Sequence, residues 1–421
     1  LNTPKEFLRK KVLPMPIEIR PAEEAFSGLT KVSRYPSPGR DGERYLPHPD
    51  VQHIPKFKIN RDDKILTIGS CFARNIERAL KQLDLNVLSS YVPGMVGDDN
   101  ISNKYTSRSI LSDLKLALAD TPPTEAELSR TIYVNDKGLA RNLAFGGAGS
   151  VKGDSYEEVL DSSRKFYENV AKIREADVVI VTFGLIEVWY DQKNDIYLNI
   201  PPSAGEIRKE PGRFVLHVLS YEDVRADMIE IFNLISARGK AGVQILSTIS
   251  PVPLHATFRA QDCLQANSYS KAVQRAALEE VLGKFDNVHY FPSYEMVALA
   301  APSVAWVKDD FRHVRPETVD RIMRKVISAY IGDSSLPPEK EVLKDLLARK
   351  AHQEIIDTVD PYLAASGKTA ADCPLYMQYY YGAACLALGR RGEGVALIRL
   401  VLAANPKHPN ANKLATQYAS A

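Results

Sequence analysis

Cysteine is scarce in this chain: four in 421 residues, at Cys71, Cys263, Cys373 and Cys385. Their spacing is irregular and contains no C-x-x-C pair, so the sequence encodes no disulfide framework. No His, Cys and Asp set has ligand spacing, and no metal is expected. Excess charge of one sign is also missing. Lys and Arg number 54 against 52 Asp and Glu, a net charge of +2, which offers no field for nucleic acid or an anionic membrane. Long apolar runs are absent, which excludes a transmembrane helix. Residues 1–20 are charged, contain Pro and lack an apolar centre, so they do not read as a signal peptide. A cytoplasmic protein is the expectation. The remainder is ordinary for a globular chain, 45% hydrophobic and 25% charged, and long enough for two or three domains.

What is present is organised around Lys64 to Ala73, K-I-L-T-I-G-S-C-F-A. Ile65 to Ile68 is a short apolar, β-branched run, the pattern of a strand buried on both faces. Gly69 ends it. From Phe72 the period changes, with Phe72, Ile76, Ala79, Leu80 and Leu83 at helical spacing. The stretch reads as strand, tight turn, helix, with Ser70 and Cys71 on the turn. In an open parallel sheet such a turn lies at the carboxyl end of a strand, where these folds bind ligands. A helix N-terminus behind it favours a thiolate or an oxyanion.

Residues 1–60 are rich in Pro, Arg and Lys and read as an irregular arm over the next domain. Leu85 to Leu88 reads as a second strand. Residues 91–110 read as a loop too poor in apolar residues to be core, and Ile110 to Leu118 as a helix. Phe145 to Ser150 is a Gly-rich turn without the Lys of a phosphate loop. Further strands follow at 176–184, 243–250 and 288–291, with helices at 156–174, 221–238, 267–282 and 317–331. Strands alternate with helices, so 61–335 reads as one α/β domain with a parallel sheet. Residues 336–421 read as all-helical. Gly382, Gly389 and Pro406 fall where a helix-turn-helix repeat of tetratricopeptide type places a crossing and two helix ends. Such a module offers a surface for a protein partner. Tyr379, Tyr380 and Tyr381 read as its packing.

Asp310-x-x-His313 is the second chemical motif. An Asp three residues before a His on a turn can fix one ring nitrogen and leave the other as a base. Together the two motifs carry a resemblance. Gly69-Ser70-Cys71-Phe72-Ala73 spells the signature of the GSCFA family, placed in the SGNH/GDSL hydrolase-like superfamily. Gly184-Leu185-Ile186-Glu187-Val188-Trp189, Thr248-Ile249-Ser250-Pro251-Val252-Pro253, Asn267 with Ser270-Lys271, and Asp309-Asp310-Phe311-Arg312-His313 resemble that family in the same order. The resemblance covers about residues 60–335. It implies a three-layer α/β/α, flavodoxin-like fold and chemistry of ester hydrolysis or O-acyl transfer, often on carbohydrates. It implies no cofactor, with acyl-CoA as a donor for transfer.

The superfamily pattern at this turn is strand, Gly, Asp, Ser. That register puts Ser70 at the Asp position and Cys71 at the nucleophile, with Ser70 as the other candidate. A thiol near His313 at a helix N-terminus is expected to have a lowered pKa. The superfamily's third block carries an Asn that stabilises the oxyanion, a contribution of about 3 kcal/mol. Here Ile186 occupies that place and cannot donate. Substitutes are the Cys71 N–H, a backbone N–H of the Gly94–Gly97 loop, and Asn103. Glu187 is read as orienting a substrate hydroxyl or Arg312. His255 lines the pocket or is a solvated loop His. Lys271, read as near a helix start, meets a substrate anion or a neighbouring acid. The expected function is an esterase or O-acyltransferase acting on a sugar or glycan-type ester. The competing reading is a catalytically silent domain that serves as a scaffold through its helical repeats.

Overall fold

The structure is a computed structural model that describes residues 16–83, 85–89, 101–146, 155–332 and 337–419. The chain divides into two compact units. One comprises Leu1–Lys56, Arg61–Arg78 and Leu85–Asp320; the other comprises Phe57–Asn60, Ala79–Asp84 and Arg321–Ala421.

The first unit is built on four parallel strands, β1 (Ile65–Gly69), β2 (Val178–Phe183), β3 (Gln244–Ile249) and β4 (Val288–Tyr290), adjacent in that order. Register is set by Ile65 opposite Val178, Val178 opposite Gln244, and Ile245 opposite Val288. β1 and β2 are buried along their whole length, which is why they read as unbroken apolar runs. The helices that begin in this unit are α1 (Cys71–Gln82), α2 (Ser107–Ala117), α3 (Tyr156–Ala171), α4 (Tyr221–Arg238), α5 (Cys263–Leu282) and α6 (Pro316–Tyr330), of which α1 ends and α6 continues in residues of the other unit. Thr106, Ser155, Ser220 and Asp262 cap α2 to α5 by accepting from backbone N–H groups in the first turn. One sheet face, with Leu66, Ile68, Val179, Val181, Phe183 and Ile249, joins a core that includes Ile110, Phe166, Phe232 and Leu278 of α2 to α5. Each such side chain stabilises the fold by about 1.5–3 kcal/mol.

The expected strand at 85–88 is reduced to one parallel bridge, Val87 with Ile65, on the free edge of β1. The loop reading of 101–110 needs a larger correction. Ile101, Asn103, Lys104 and Thr106 are buried beside the end of β1. The low apolar count misled because most of the buried groups are polar. Lys104 Nζ pairs with Asp113 at 2.6 Å, and Asn199 donates to the Asn103 carbonyl at 2.8 Å. Residues 90–100 and 147–154 lie outside the described residues. Two antiparallel pieces were also not legible: a hairpin of Ile132–Val134 with Ala140–Asn142, and a three-stranded sheet with Glu187–Asp191 between Ile196–Leu198 and Phe214–Val218. Their strands are short or half-buried, so the apolar alternation is faint. Within this unit the arm touches the rest, Ala301 donating to the Pro47 carbonyl at 2.9 Å and His53 packing edge-on to Phe291.

The second unit carries five further helices, α7 (Lys340–Ala348), α8 (His352–Ser366), α9 (Leu375–Ala387), α10 (Arg391–Ala404) and α11 (Pro409–Ala419). Tyr379, Tyr380 and Tyr381 are buried in its core, and Tyr381 Oη donates to Asp360 at 2.6 Å. Gly382 and Gly394 let α9 and α10 approach. A Cβ on Gly394 would lie 2.7 Å from Leu386 Cγ and 2.9 Å from the Gly382 carbonyl. Gly394→Val is therefore expected to destabilise this unit by about 1–3 kcal/mol, read as a lower urea midpoint of the helical circular dichroism signal.

Candidate active site

Counting the Val87 segment second in chain order, the parallel segments run 2-1-3-4-5 across the sheet. The order in which strands are added reverses between β1 and β2. In open α/β sheets the crevice beyond the carboxyl ends at that reversal is where ligands bind. Gly69, Ser70 and Cys71 lie there at the end of β1, and Gly184 lies there after β2.

Gly69 has φ +146° and faces β2 so closely that a Cβ would meet the Thr182 carbonyl oxygen at 2.5 Å. Only glycine fits both the backbone and the gap. The first turns of α1 are then locked by a buried network. Arg74 donates to the Thr67 carbonyl at 3.0 Å and pairs with Glu77, and Thr67 and Ser89 both donate to Glu77, at 3.0 and 3.1 Å. Ser70 is 4% exposed, and its hydroxyl donates to Ser250 Oγ at 3.1 Å. Its oxygen also accepts from Phe72 N–H at 3.4 Å. Cys71, the first residue of α1, is half-buried with a free thiol.

The thiol is not lowered as expected. Its pKa is raised, because burial disfavours the thiolate more than its neighbours favour it. Those neighbours are the Arg312 guanidinium, the N–H groups of Phe72 and Cys71 at the helix N-terminus, and the Lys271 ammonium.

Lys271 needs a correction as well. It lies in the third turn of α5, not at its start, and is 1% exposed. Instead of an acid, its Nζ holds two carbonyls, Gly184 and Val252, each at 2.8 Å. Burial without a carboxylate depresses its pKa to about 7, against a small upward pull from Cys71. Gln274, one turn along α5, donates to the same Gly184 carbonyl at 2.9 Å. The sequence reading missed Gln274; its i+3 spacing from Lys271 is the available signal.

Asp310 and His313 form the pair that the spacing suggests. Asp310 Oδ1 accepts from the Arg312 and His313 N–H groups at 2.9 and 2.7 Å, and Oδ2 is bonded to His313 Nδ1. These bonds hold the Asp310 carboxyl far below the usual carboxylate range. With Nδ1 donating to Asp310, Nε2 is the acceptor, and Arg312 Nη1 lies 3.3 Å from it. Both side chains of the pair are exposed. Among the described residues neither Cys71 nor Ser70 hydrogen-bonds to the ring. Arg312 is the link, touching His313 and acting on the Cys71 thiol.

Of the remaining candidates, Asn103 is buried and bridges to Gly69, beside the nucleophile turn. Among the described residues Glu187 makes no bond to Arg312. It accepts from Thr257 Oγ1 at 2.6 Å and Phe258 N–H at 2.9 Å, tying down the loop after β3, because that loop presents unpaired donors to it. Ile186 is buried in the core and supplies no donor. His255 is exposed on the same loop. Gly97 lies outside the described residues. Among the described residues no cluster of His, Cys, Asp and Glu could hold a metal, and no helix is long and apolar enough to cross a membrane.

In comparison with known proteins, the GSCFA family model matches residues 64–326, more than half of the chain, from β1 into α6. No curated protein matches the chain.

Proposed function

The chain belongs to the GSCFA family, and from that premise we propose that its α/β unit is an acyl-transferring enzyme of SGNH type, an esterase or O-acyltransferase acting on a sugar or glycan-type ester. The 2-1-3-4-5 order is that of flavodoxin-like sheets and supports the finer fold reading. The helix pair crossing at Gly382 and Gly394 supports a tetratricopeptide-like tail that recruits a protein partner.

One observation carries the catalytic reading. Arg312 connects the two motifs, since its guanidinium contacts His313 Nε2 and is the strongest charge acting on Cys71. In this reading Cys71 loses its thiol proton as Sγ attacks the acyl carbonyl, and the leaving oxygen or sulfur departs with that proton, returned through His313 Nε2. Water or a sugar hydroxyl then attacks the thioester, His313 takes its proton, and the Cys71 thiolate is released and regains it. Asp310 fixes the tautomer that leaves Nε2 as base. The N–H groups at the start of α1, with Asn103, stand in for the missing superfamily Asn toward the oxyanion. Ser70 is the weaker nucleophile because its hydroxyl is engaged by Ser250.

The silent-scaffold reading is favoured by Ile186 and by the lack of a bond between imidazole and thiol. The two separate on one experiment: exposure to p-nitrophenyl acetate and to acetyl-CoA, followed by peptide mass spectrometry. The enzyme reading expects an acyl adduct on Cys71 that Cys71→Ala lacks. Identical behaviour of wild type and Cys71→Ala with both donors, and no adduct on residue 70 or 71, would leave the scaffold reading standing.

A further inference from the structure

The structure holds a buried cation that the scheme above does not use. Lys271 Nζ is fastened to the Gly184 and Val252 carbonyls, at the carboxyl ends of β2 and β3. Ser250, two residues before Val252, bonds Ser70, and Cys71 follows Ser70. The amine is thus built into the rim on which the thiol stands. Two of its three ammonium hydrogens have acceptors. Among the described residues no carboxylate pairs with it, and burying an unpaired ammonium is costly unless it can shed its proton. Among the described residues, the titratable group that acts on it is Cys71 of α1. The charges that act on Cys71 are Lys271 and Arg312, and Arg312 in turn faces His313 and Asp310.

We propose that Lys271 is the proton partner of Cys71: its neutral amine takes the thiol proton, and the resulting ammonium is the counter-ion of the thiolate. The S–H bond breaks and an N–H bond forms, with no net charge entering the buried rim. His313, exposed and bonded away from the thiol, is then left to pass that proton from the ammonium to the leaving group and to take the proton of the incoming hydroxyl. This deepens the acyl-transfer reading and names the base for one step of it.

Thiol and amine should titrate as a pair. Fully protonated, the pair is a thiol with an ammonium and is unreactive. After one proton is lost, near pH 7 where the buried amine titrates, the remaining proton is shared and a fraction of the pair is thiolate–ammonium. The thiolate becomes dominant only on loss of the second proton, above the ordinary thiol range because burial raises Cys71.

The test is the rate of iodoacetamide alkylation of Cys71 against pH, read by peptide mass spectrometry on the full chain, with Cys263 as the internal reference. Wild type is expected to rise in two steps, the first near pH 7. Lys271→Met should lose the first step and react at least about tenfold more slowly at pH 8. Lys271→Arg keeps the donors and a charge that never titrates, so it should show a single thiol titration without the step near 7. If both variants keep the two-step profile, the proposal is overturned. If Lys271→Met does not fold, Lys271→Arg decides alone, since a role limited to holding carbonyls would leave its profile two-stepped. Iodoacetamide carries no acyl group, so this result stands or falls apart from adduct formation with acyl donors.

Discussion

His313→Ala is expected to slow acyl turnover by about 10²–10⁴-fold, the range spanned by removal of a positioned general acid–base group. The ring is oriented from one side by Asp310, which is itself fixed by two backbone N–H groups of its own turn. Nε2 faces Arg312, the residue that also acts on the thiol. Because both side chains of the pair are exposed, the substitution should leave the folded state intact; the melting temperature should move little. Asp310→Asn should lose less than His313→Ala in turnover while the tautomer is disturbed. Steady-state rates with p-nitrophenyl acetate, compared with the rate of Cys71 acylation in a single turnover, check this. Turnover at wild-type rate in His313→Ala would remove the imidazole from the mechanism.

Gly69→Ala is expected to have the largest effect on stability. The added methyl would lie 2.5 Å from the Thr182 carbonyl oxygen and 2.7 Å from Thr182 Cβ. Both belong to the backbone and inner face of β2, which cannot swing aside as a flexible side chain could. The φ of +146° adds strain that glycine avoids. Backbone strain and overpacking cost about 1–3 kcal/mol each. Together they remove a large share of the roughly 5–15 kcal/mol that stabilises a typical domain. A urea midpoint unchanged from wild type would mean that β1 and β2 do not meet at this glycine. The same substitution should alter Cys71 alkylation, because relief of the clash moves the turn that carries the thiol.

The elements that proved legible share one property: their pattern is produced by burial on all sides or along one helical stripe. β1, β2 and β3 appear as apolar runs because both faces are covered, and α1 and α4 as periodic stripes. The segment 101–106 escaped because its burial is polar. Lys104 is inside because Asp113 pairs with it, and the Asn103 backbone carbonyl because Asn199, far along the chain, donates to it. The bonds of Glu187 were illegible for a related reason. A carboxylate after a strand suggests a site, but its partners at Thr257 and Phe258 are some 70 residues on.

The sequence by itself determined the strand–turn–helix at Lys64–Ala73, the Asp310–His313 pair, the helical tail and the family to which the chain belongs, because each is a matter of local order and residue type. The tertiary structure decided the electrostatics. Whether a thiol is lowered by a helix N-terminus or raised by desolvation depends on what covers it, and whether a lysine meets an acid or two carbonyls depends on which strand ends converge on it. Those balances are sums over groups brought together only by folding, so no reading along the chain could fix their sign.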